Sequence, residues 1–234
     1  MDLNRLLRAL SPVDRDALTP SLERVELVRG TVLETIGSKP DHAYFLETGL
    51  AAIVARSPHR RIGIGVVGND GMTALDLVLN SGRAANETIV QAAGSALRIA
   101  GGTLRTAVEG STSLRHMLLR YAHVFMVQAS QTALTNGHAA IEERLARWIL
   151  MSHDRFEGDD LRVTHEFISL MLGVRRAGIT GAIHVLEGLH LIKSSRDILH
   201  VTDRKGLMAL ASGSYGVCED EYERLIDRTF RKAT

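Results

Sequence analysis

The sequence holds a single cysteine, Cys218, in 234 residues. A lone thiol excludes an internal disulfide, the four thiolates that hold most iron–sulfur clusters, and the Cys pairs of a zinc finger. It also fits a reducing, cytoplasmic compartment. Long apolar runs are missing too. The longest, such as Gly63–Gly68, fall far short of the ~20 residues of a membrane span. The N-terminus, MDLNRLLRALSPVDRDAL, is interrupted by charge every few residues, so neither a membrane segment nor an export signal is expected. Charge of one sign is equally scarce, with 28 Lys and Arg against 27 Asp and Glu. What is present is an ordinary globular mixture, 45% hydrophobic and 24% charged, long enough for about one or two domains.

A balanced total says little about nucleic acid, because a basic patch acts by its location. Residues 1–110 carry 12 basic and 12 acidic side chains. Residues 161–212 carry seven basic (Arg162, Arg175, Arg176, Lys193, Arg196, Arg204, Lys205) and four acidic ones, with four histidines. The near-zero sum therefore conceals a local excess.

Hydropathy patterning divides the chain into three parts. Leu3, Leu6, Leu7 and Leu10 fall at helical spacing, and Ser11-Pro12 with Asp14 predicts a capped second helix. From Val25 to Ala100 short alternating segments (Val25/Leu27, Tyr44/Leu46, Ile62/Ile64/Val66, Ile89/Gln91, Leu97/Ile99) are separated by glycine-bearing turns. They predict a β-sandwich or barrel, with Met72–Leu79 as an inserted helix. A short helix is expected over Thr103–Glu109. From Ser111 to His153 there is no proline, and Leu114, Met117, Leu118, Tyr121, Phe125, Gln128 and Thr132 form one stripe. An unbroken helix of that length would reach about 60 Å, so the stripe is expected to serve both the β domain and a second subunit. Asn136-Gly137 is the expected break.

The last third reads as a separate unit. Thr164 caps a helix that ends at Gly173, a short turn follows, and Arg175–Glu187 forms a second helix with Ile179, Ile183 and Leu186 inward. Leu189–Lys193 and Ile198–Thr202, joined by Ser194-Ser195-Arg196-Asp197, predict a hairpin. Helix, turn, helix and hairpin make a winged helix-turn-helix. In that motif the second helix enters the major groove, which assigns Arg175, Arg176, Gly178, Thr180, Gly181 and His184 to the DNA face. An arginine there suits guanine O6 and N7. Thr164 and His165 at the start of the first helix suit a phosphate, and Lys193, Ser195 and Arg196 at the wing suit sequence-independent contacts. Standing alone, two adjacent arginines would mark a solvated helix face; directly after the turn they are expected to face DNA.

Arg29-Gly-Thr-Val-Leu, Tyr44-Phe-Leu-Glu-Thr-Gly49, Ile141-Glu-Glu-Arg-Leu-Ala-Arg-Trp148, Thr164-His-Glu-Phe-Ile, Leu172-Gly-Val-Arg-Arg176 and Leu186-Glu-Gly-Leu-His-Leu-Ile192 together resemble the Crp/Fnr family of bacterial transcription factors. The resemblance implies an α+β chain. Residues 1–110 would be a sensor β-roll (a double-stranded β-helix or jelly roll) like those that bind cyclic nucleotides. Residues 111–153 would be a long dimerisation helix, and 154–234 a winged helix-turn-helix. It implies a homodimer on a palindromic operator of double-stranded DNA, with Leu114, Leu118, Tyr121, Phe125, Gln128 and Thr132 pairing the helices. The family's effector site would fall at Gly71, Met72, Thr73, Arg83 and Ala84. Members that bind cyclic AMP carry Gly-Glu followed by Arg-Ser in this stretch, the Glu holding the ribose hydroxyl and the Arg the cyclic phosphate. Met72 cannot accept that hydrogen bond and Ala84 lacks the hydroxyl, so DNA binding independent of cyclic nucleotide is expected, with some other small-molecule effector left open. The cluster-binding cysteines of the oxygen-sensing branch are absent. The family's common recognition Glu and second Arg fall at Ala177 and Gly181, so the operator is expected to differ from the usual ones.

Other functions fit less well. A cupin-like metal enzyme needs closely spaced histidines, and His42 and His59 lie far apart. Gly63-Ile-Gly65 lacks the Lys-Ser/Thr of a phosphate loop. No enzyme activity, metal or membrane partner is therefore expected. A ligand-sensing or protein-interaction module with degenerate DNA binding is the competing reading, and retention of Arg175, Arg176, Lys193 and Arg196 opposes it. The acidic segment Glu219–Glu223 is expected to form an amphipathic helix on the winged domain or a partner subunit, with a contact to RNA polymerase as the alternative. Cys218 sits where a thiol could be exposed.

Overall fold

The computed structural model describes residues 4–232; Leu3 lies outside the described residues. Helices α1 (Arg5–Arg8) and α2 (Pro12–Leu18) open the chain. The Ser11 hydroxyl accepts from the Asp14 N–H at 3.1 Å, as the capping pattern requires. Asp14 in turn accepts from Ser11, Ser111 and Ser113, and these hydroxyls hold its carboxyl below the usual range.

Strands β1 (Glu23–Leu27), β2 (Val32–Glu34), β3 (His42–Leu46), β4 (Leu50–Ser57) and β5 (Arg60–Val67) follow. Helix α3 (Leu75–Val78) then precedes β6 (Glu87–Ala92) and β7 (Gly94–Ala100). They make two antiparallel sheets ordered β1-β7-β3 and β2-β6-β4-β5. Leu27, Leu46 and Ala96 of one sheet pack against Ala51, Ile53, Val67 and Val90 of the other. The alternating segments thus form the expected β domain, but β4, in the interior of its sheet, carries no alternation. Its odd residues Ala51 and Ile53 join the roll core, whereas Leu50, Ala52 and Val54 join the core of the C-terminal unit. A strand buried on both faces reads as a continuous apolar run. The inserted helix is shorter than expected, because Met72 bridges to Phe45 as a strand residue and Ala74 takes a left-handed backbone.

Helix α4 (Gly101–Gly110) leads to α5 (Thr112–His138) and α6 (Ile141–His153). The long helix breaks, though not at Asn136-Gly137, which stay helical. Ala139 and Ala140 are the extended residues. The break lets α6 turn its apolar face, including Leu145, Trp148 and Ile149, into the C-terminal core rather than continue α5. Residues 141–153, expected in the dimerisation helix, therefore pack with the helix-turn-helix.

The expected dimerisation stripe is corrected more deeply. Leu114, Leu118 and Tyr121 are buried against the chain's own Leu6, Phe45, Met72 and Leu104. Phe125 is half-buried on the roll. Gln128 behaves as a strand mimic, its Oε1 accepting from Val66 N–H at 2.6 Å and its Nε2 donating to Val66 O at 3.3 Å. Thr132 donates to the Gln128 carbonyl and accepts from Arg147. The stripe is one face of an intramolecular interface. The opposite face exposes Leu119 (39%), Met126 (64%) and Leu134 (56%).

The C-terminal unit comprises β8 (Asp160–Leu161), α7 (His165–Leu172), α8 (Arg176–Gly188), β9 (Ile192–Ser195), β10 (Ile198–Val201), α9 (Arg204–Leu210) and α10 (Val217–Leu225). Its three short strands form a sheet ordered β8-β10-β9. It docks on β5 through glycines. A Cβ on Gly63 would overlap Met171 of α7, one on Gly173 at the end of α7 would crowd Ile62 of β5, and one on Gly68 just after β5 would crowd Arg155, while Gly65 gives the same close approach to Phe125 and Gln128 of α5. Beside Gly68, Arg155 grips Asp70 in a buried two-point pair, with Nε to Oδ1 at 3.0 Å and Nη2 to Oδ2 at 2.7 Å.

Helix α10 departs from expectation. It packs on α5 and the N-terminal unit, where Cys218, Tyr222 and Phe230 join the core around Leu6 and Leu7. Tyr222 Oη donates to the Asp70 carbonyl at 2.7 Å, and Arg5 pairs with Asp227 at 2.8 Å. Cys218 is 3% exposed, and burial pushes its thiol up to about 12, so it is an inert core residue.

Candidate nucleic-acid interface and sensor cavity

Helix α7 starts where Thr164 accepts from the Phe167 N–H at 3.1 Å, and it stops at Gly173, whose φ of +62° is the left-handed conformation favoured at a helix C-terminus. Arg175, with extended ψ, is the residue before α8, so Arg176 holds the first helical position. Burial of Ile179, Ala182, Ile183 and Leu186 seats α8 in the domain. Arg176, Ala177, Gly181, His184 and Val185 are left on the exposed face. The wing is held to this helix by Glu187, whose carboxylate accepts from the Ser194 N–H at 2.7 Å. Ser195 pairs with Ile198, so the turn is Arg196-Asp197 alone, with Asp197 at φ +58°. Ser194 and Ser195, expected in the loop, are strand residues.

These elements converge on a cleft of about 520 Å³ lined by Thr164, His165, Arg176, Ser195 and Arg196, with Glu166, Ser194 and Asp197. One further cation lines it, Arg29 from the turn between β1 and β2. In the sequence Arg29-Gly30 marks a turn and part of the family resemblance, but no contact with DNA. Folding brings that turn beside the wing, where Arg29 also shares a groove with Arg162 and Arg196. Arg175, His184 and Lys193 are exposed outside the cleft. Two expected DNA-facing residues are placed differently. Gly178 is half-buried, and a Cβ there would touch Ile141 of α6 at 3.4 Å. Thr180 is half-buried and donates to the Arg176 carbonyl at 3.2 Å. Gly178 thus faces α6, and the Thr180 hydroxyl is turned back on its own helix. One of the counted cations is also spent elsewhere: Arg204 is nearly buried, paired with Asp154 at 2.7 Å and stacked near Tyr215.

The residues expected at the effector site separate. Met72 and Thr73 line a cavity of about 190 Å³ between the second sheet, α3 and α5. Gly71 does not line it; it lies beneath Tyr121, whose hydroxyl a Cβ would overlap. Ala84 is buried and exchanges backbone hydrogen bonds with the turn at Gly37 and Ser38. Arg83, expected as an anion ligand, is exposed and outside the cavity wall.

Residues 143–210 match the family model of the Crp-like helix-turn-helix domain. No curated protein sequence matches the chain. Solved structures resemble it along most of its length. FixK2 from Bradyrhizobium japonicum is 14% identical with a TM-score of 0.69, over 81% of this chain and 96% of that one. A CRP/FNR-family transcriptional regulator from Thermus thermophilus is 18% identical with a TM-score of 0.65, over 82% and 100%. The c-di-GMP-responsive global regulator CLP from Xanthomonas campestris is 14% identical with a TM-score of 0.64, over 82% and 99%. The chain thus carries the Crp-like helix-turn-helix domain, and along its length the α+β fold, of the Crp/Fnr family of transcriptional regulators.

Proposed function

We propose that this regulator binds a dyad-symmetric operator as a homodimer, reading bases with the start of α8, and that it does so without cyclic nucleotide. The observation that carries the reading is the convergence of Arg176, Thr164, His165, Ser195 and Arg196, from two helices and the wing, on one cleft. Arg176 at the first helical position reaches base edges, the α7 N-terminus takes a phosphate, and the wing grips the backbone. Arg29 adds a phosphate contact from the β domain. Arg175, His184 and Lys193 lie on the flanks of the same surface. Gly178 serves the seating of α8 rather than readout.

Independence from cyclic nucleotide is supported by the cavity wall. It has Met72 where a ribose acceptor would be needed and no basic side chain for a phosphate.

Selection of bound DNA from a random pool, without added nucleotide, tests the reading. A two-fold symmetric motif is expected, with binding that weakens steeply as salt rises through counterion release. Arg176→Ala should cost about 1–3 kcal/mol and relax one base pair per half-site. An unchanged motif with this variant would remove Arg176 from the readout.

A further inference from the structure

The cavity beside α3 has a charge pattern of its own. Its wall is largely apolar, with Ile53, Val67 and Met72 from the roll and Phe125 and Met126 from α5. Among the described residues that line it, the only ionisable side chains are two acids, Glu34 and Asp76. Glu34 is 7% exposed; its Oε2 accepts from Thr88 Oγ1 at 2.6 Å, while the buried Oε1 makes no hydrogen bond of normal geometry and the Ala74 N–H and Thr73 act on the carboxyl only more weakly than Thr88. An unsatisfied carboxylate oxygen in an apolar surrounding is costly and attracts a cationic donor. Burial raises the Glu34 pKa and the neighbouring Asp76 adds to the rise, while Thr88, the Ala74 N–H and Thr73 oppose it. The adjoining Ala74 is buried with φ +59° and ψ 43°, a conformation that a non-glycine residue holds only under strain and that gathers at ligand sites.

We propose that this cavity binds a small, mostly apolar molecule whose polar end is an ammonium group, held by Glu34 with Asp76 nearer the opening. The apolar wall takes the body of the ligand, and Thr73 and Asn86 are the neutral polar groups beside its head. A cavity of about 150 Å³ accommodates benzene, so the present volume of about 190 Å³ suits one ring with a short tail. Anions are disfavoured by two carboxylates with no compensating cation in the wall. Because Phe125 and Met126 belong to α5, and Met126 stands on its exposed face, an occupant is in contact with the helix that joins the two units. The inference rests on reading the β domain as a sensor; it does not depend on DNA binding.

Titration calorimetry of the full chain, in the absence of DNA, with phenethylamine, phenethyl alcohol and phenylacetate tests it. Phenethylamine is expected to bind once per chain, at least about tenfold more tightly than the alcohol, with no heat from the acid. Glu34→Gln keeps the shape and should erase the preference for the amine while leaving the alcohol unchanged. Should that variant fold poorly, Asp76→Asn, at a half-exposed position, should lower amine affinity severalfold with the alcohol unaffected. Equal binding of amine and acid, survival of the amine preference in Glu34→Gln, or no binding by any of the three would each overturn the proposal. A failed operator selection alongside amine binding would overturn only the DNA reading.

Discussion

Asp70 has the densest set of roles at the scale of single residues. Its carboxylate accepts from Gly68 N–H at 2.9 Å and from two nitrogens of Arg155, and its carbonyl accepts from Tyr222. Both partners of the ion pair are almost fully buried, with side-chain exposures of 1% and 3%. The pair adds less to net stability than to the geometry it dictates, because desolvation consumes most of the Coulombic gain. Removing one member is another matter, since it strands a buried charge. Asp70→Ala should therefore lose about 3–5 kcal/mol in urea unfolding, and replacing both members by apolar residues should lose much less. Nothing near Asp70 in the sequence announces this role: Asn69-Asp70-Gly71 reads as a turn, and Arg155 lies 85 positions away.

Among the elements, the recognition helix shows a local rule broken for a reason. Helix α8 carries Gly178, Gly181 and Gly188 within 13 residues, and each interior glycine costs about 1 kcal/mol relative to alanine. Gly178 has a packing reason, the Ile141 side chain of α6. Gly181 has none, since a Cβ there meets nothing within 4 Å. On the proposed function its absent side chain allows close approach to DNA. Gly181→Ala should then raise stability by about 0.5–1 kcal/mol and weaken operator binding in the same protein, read by thermal unfolding and gel shift. A gain in stability with unchanged affinity would leave the glycine without a DNA role. The preceding helix α7 and the hairpin were legible because they rest on local chemistry: the Thr164 cap and positive-φ Gly173 of α7, and alternation over a few residues in the hairpin. Strand β4 was not, because burial on both faces erases the period that marks a strand, and α9 was missed because its seven residues bury only Leu207.

For the whole molecule, the two faces of α5 decide how units meet. One face, from Leu114 to Thr132, is consumed by the chain's own β domain, and α10 covers a further part. The remaining face presents Leu119, Met126 and Leu134 at about two-turn spacing, the pattern of a helix that pairs with a second copy. Replacing Leu119 and Met126 together by Lys should convert a dimer to a monomer in sedimentation analysis and cost operator affinity, with the fold intact because neither residue is in the core. A monomeric parent protein would remove the dimer from the proposed function.

The sequence by itself determined the domain of short strands and the helix, turn, helix and hairpin of the C-terminal unit. Each follows from short-range periodicity and capping, which act over a few residues. Only the tertiary structure decided which side of α5 is free, that α6 belongs with the DNA-binding unit, and that α10 closes on the N-terminal unit. It also placed Arg29 beside the wing and buried Glu34 in the wall of an apolar cavity. Those outcomes depend on which apolar surfaces meet across tens of residues. An apolar stripe states that a face is buried; the partner that buries it is settled by competition among all the surfaces of the folded chain.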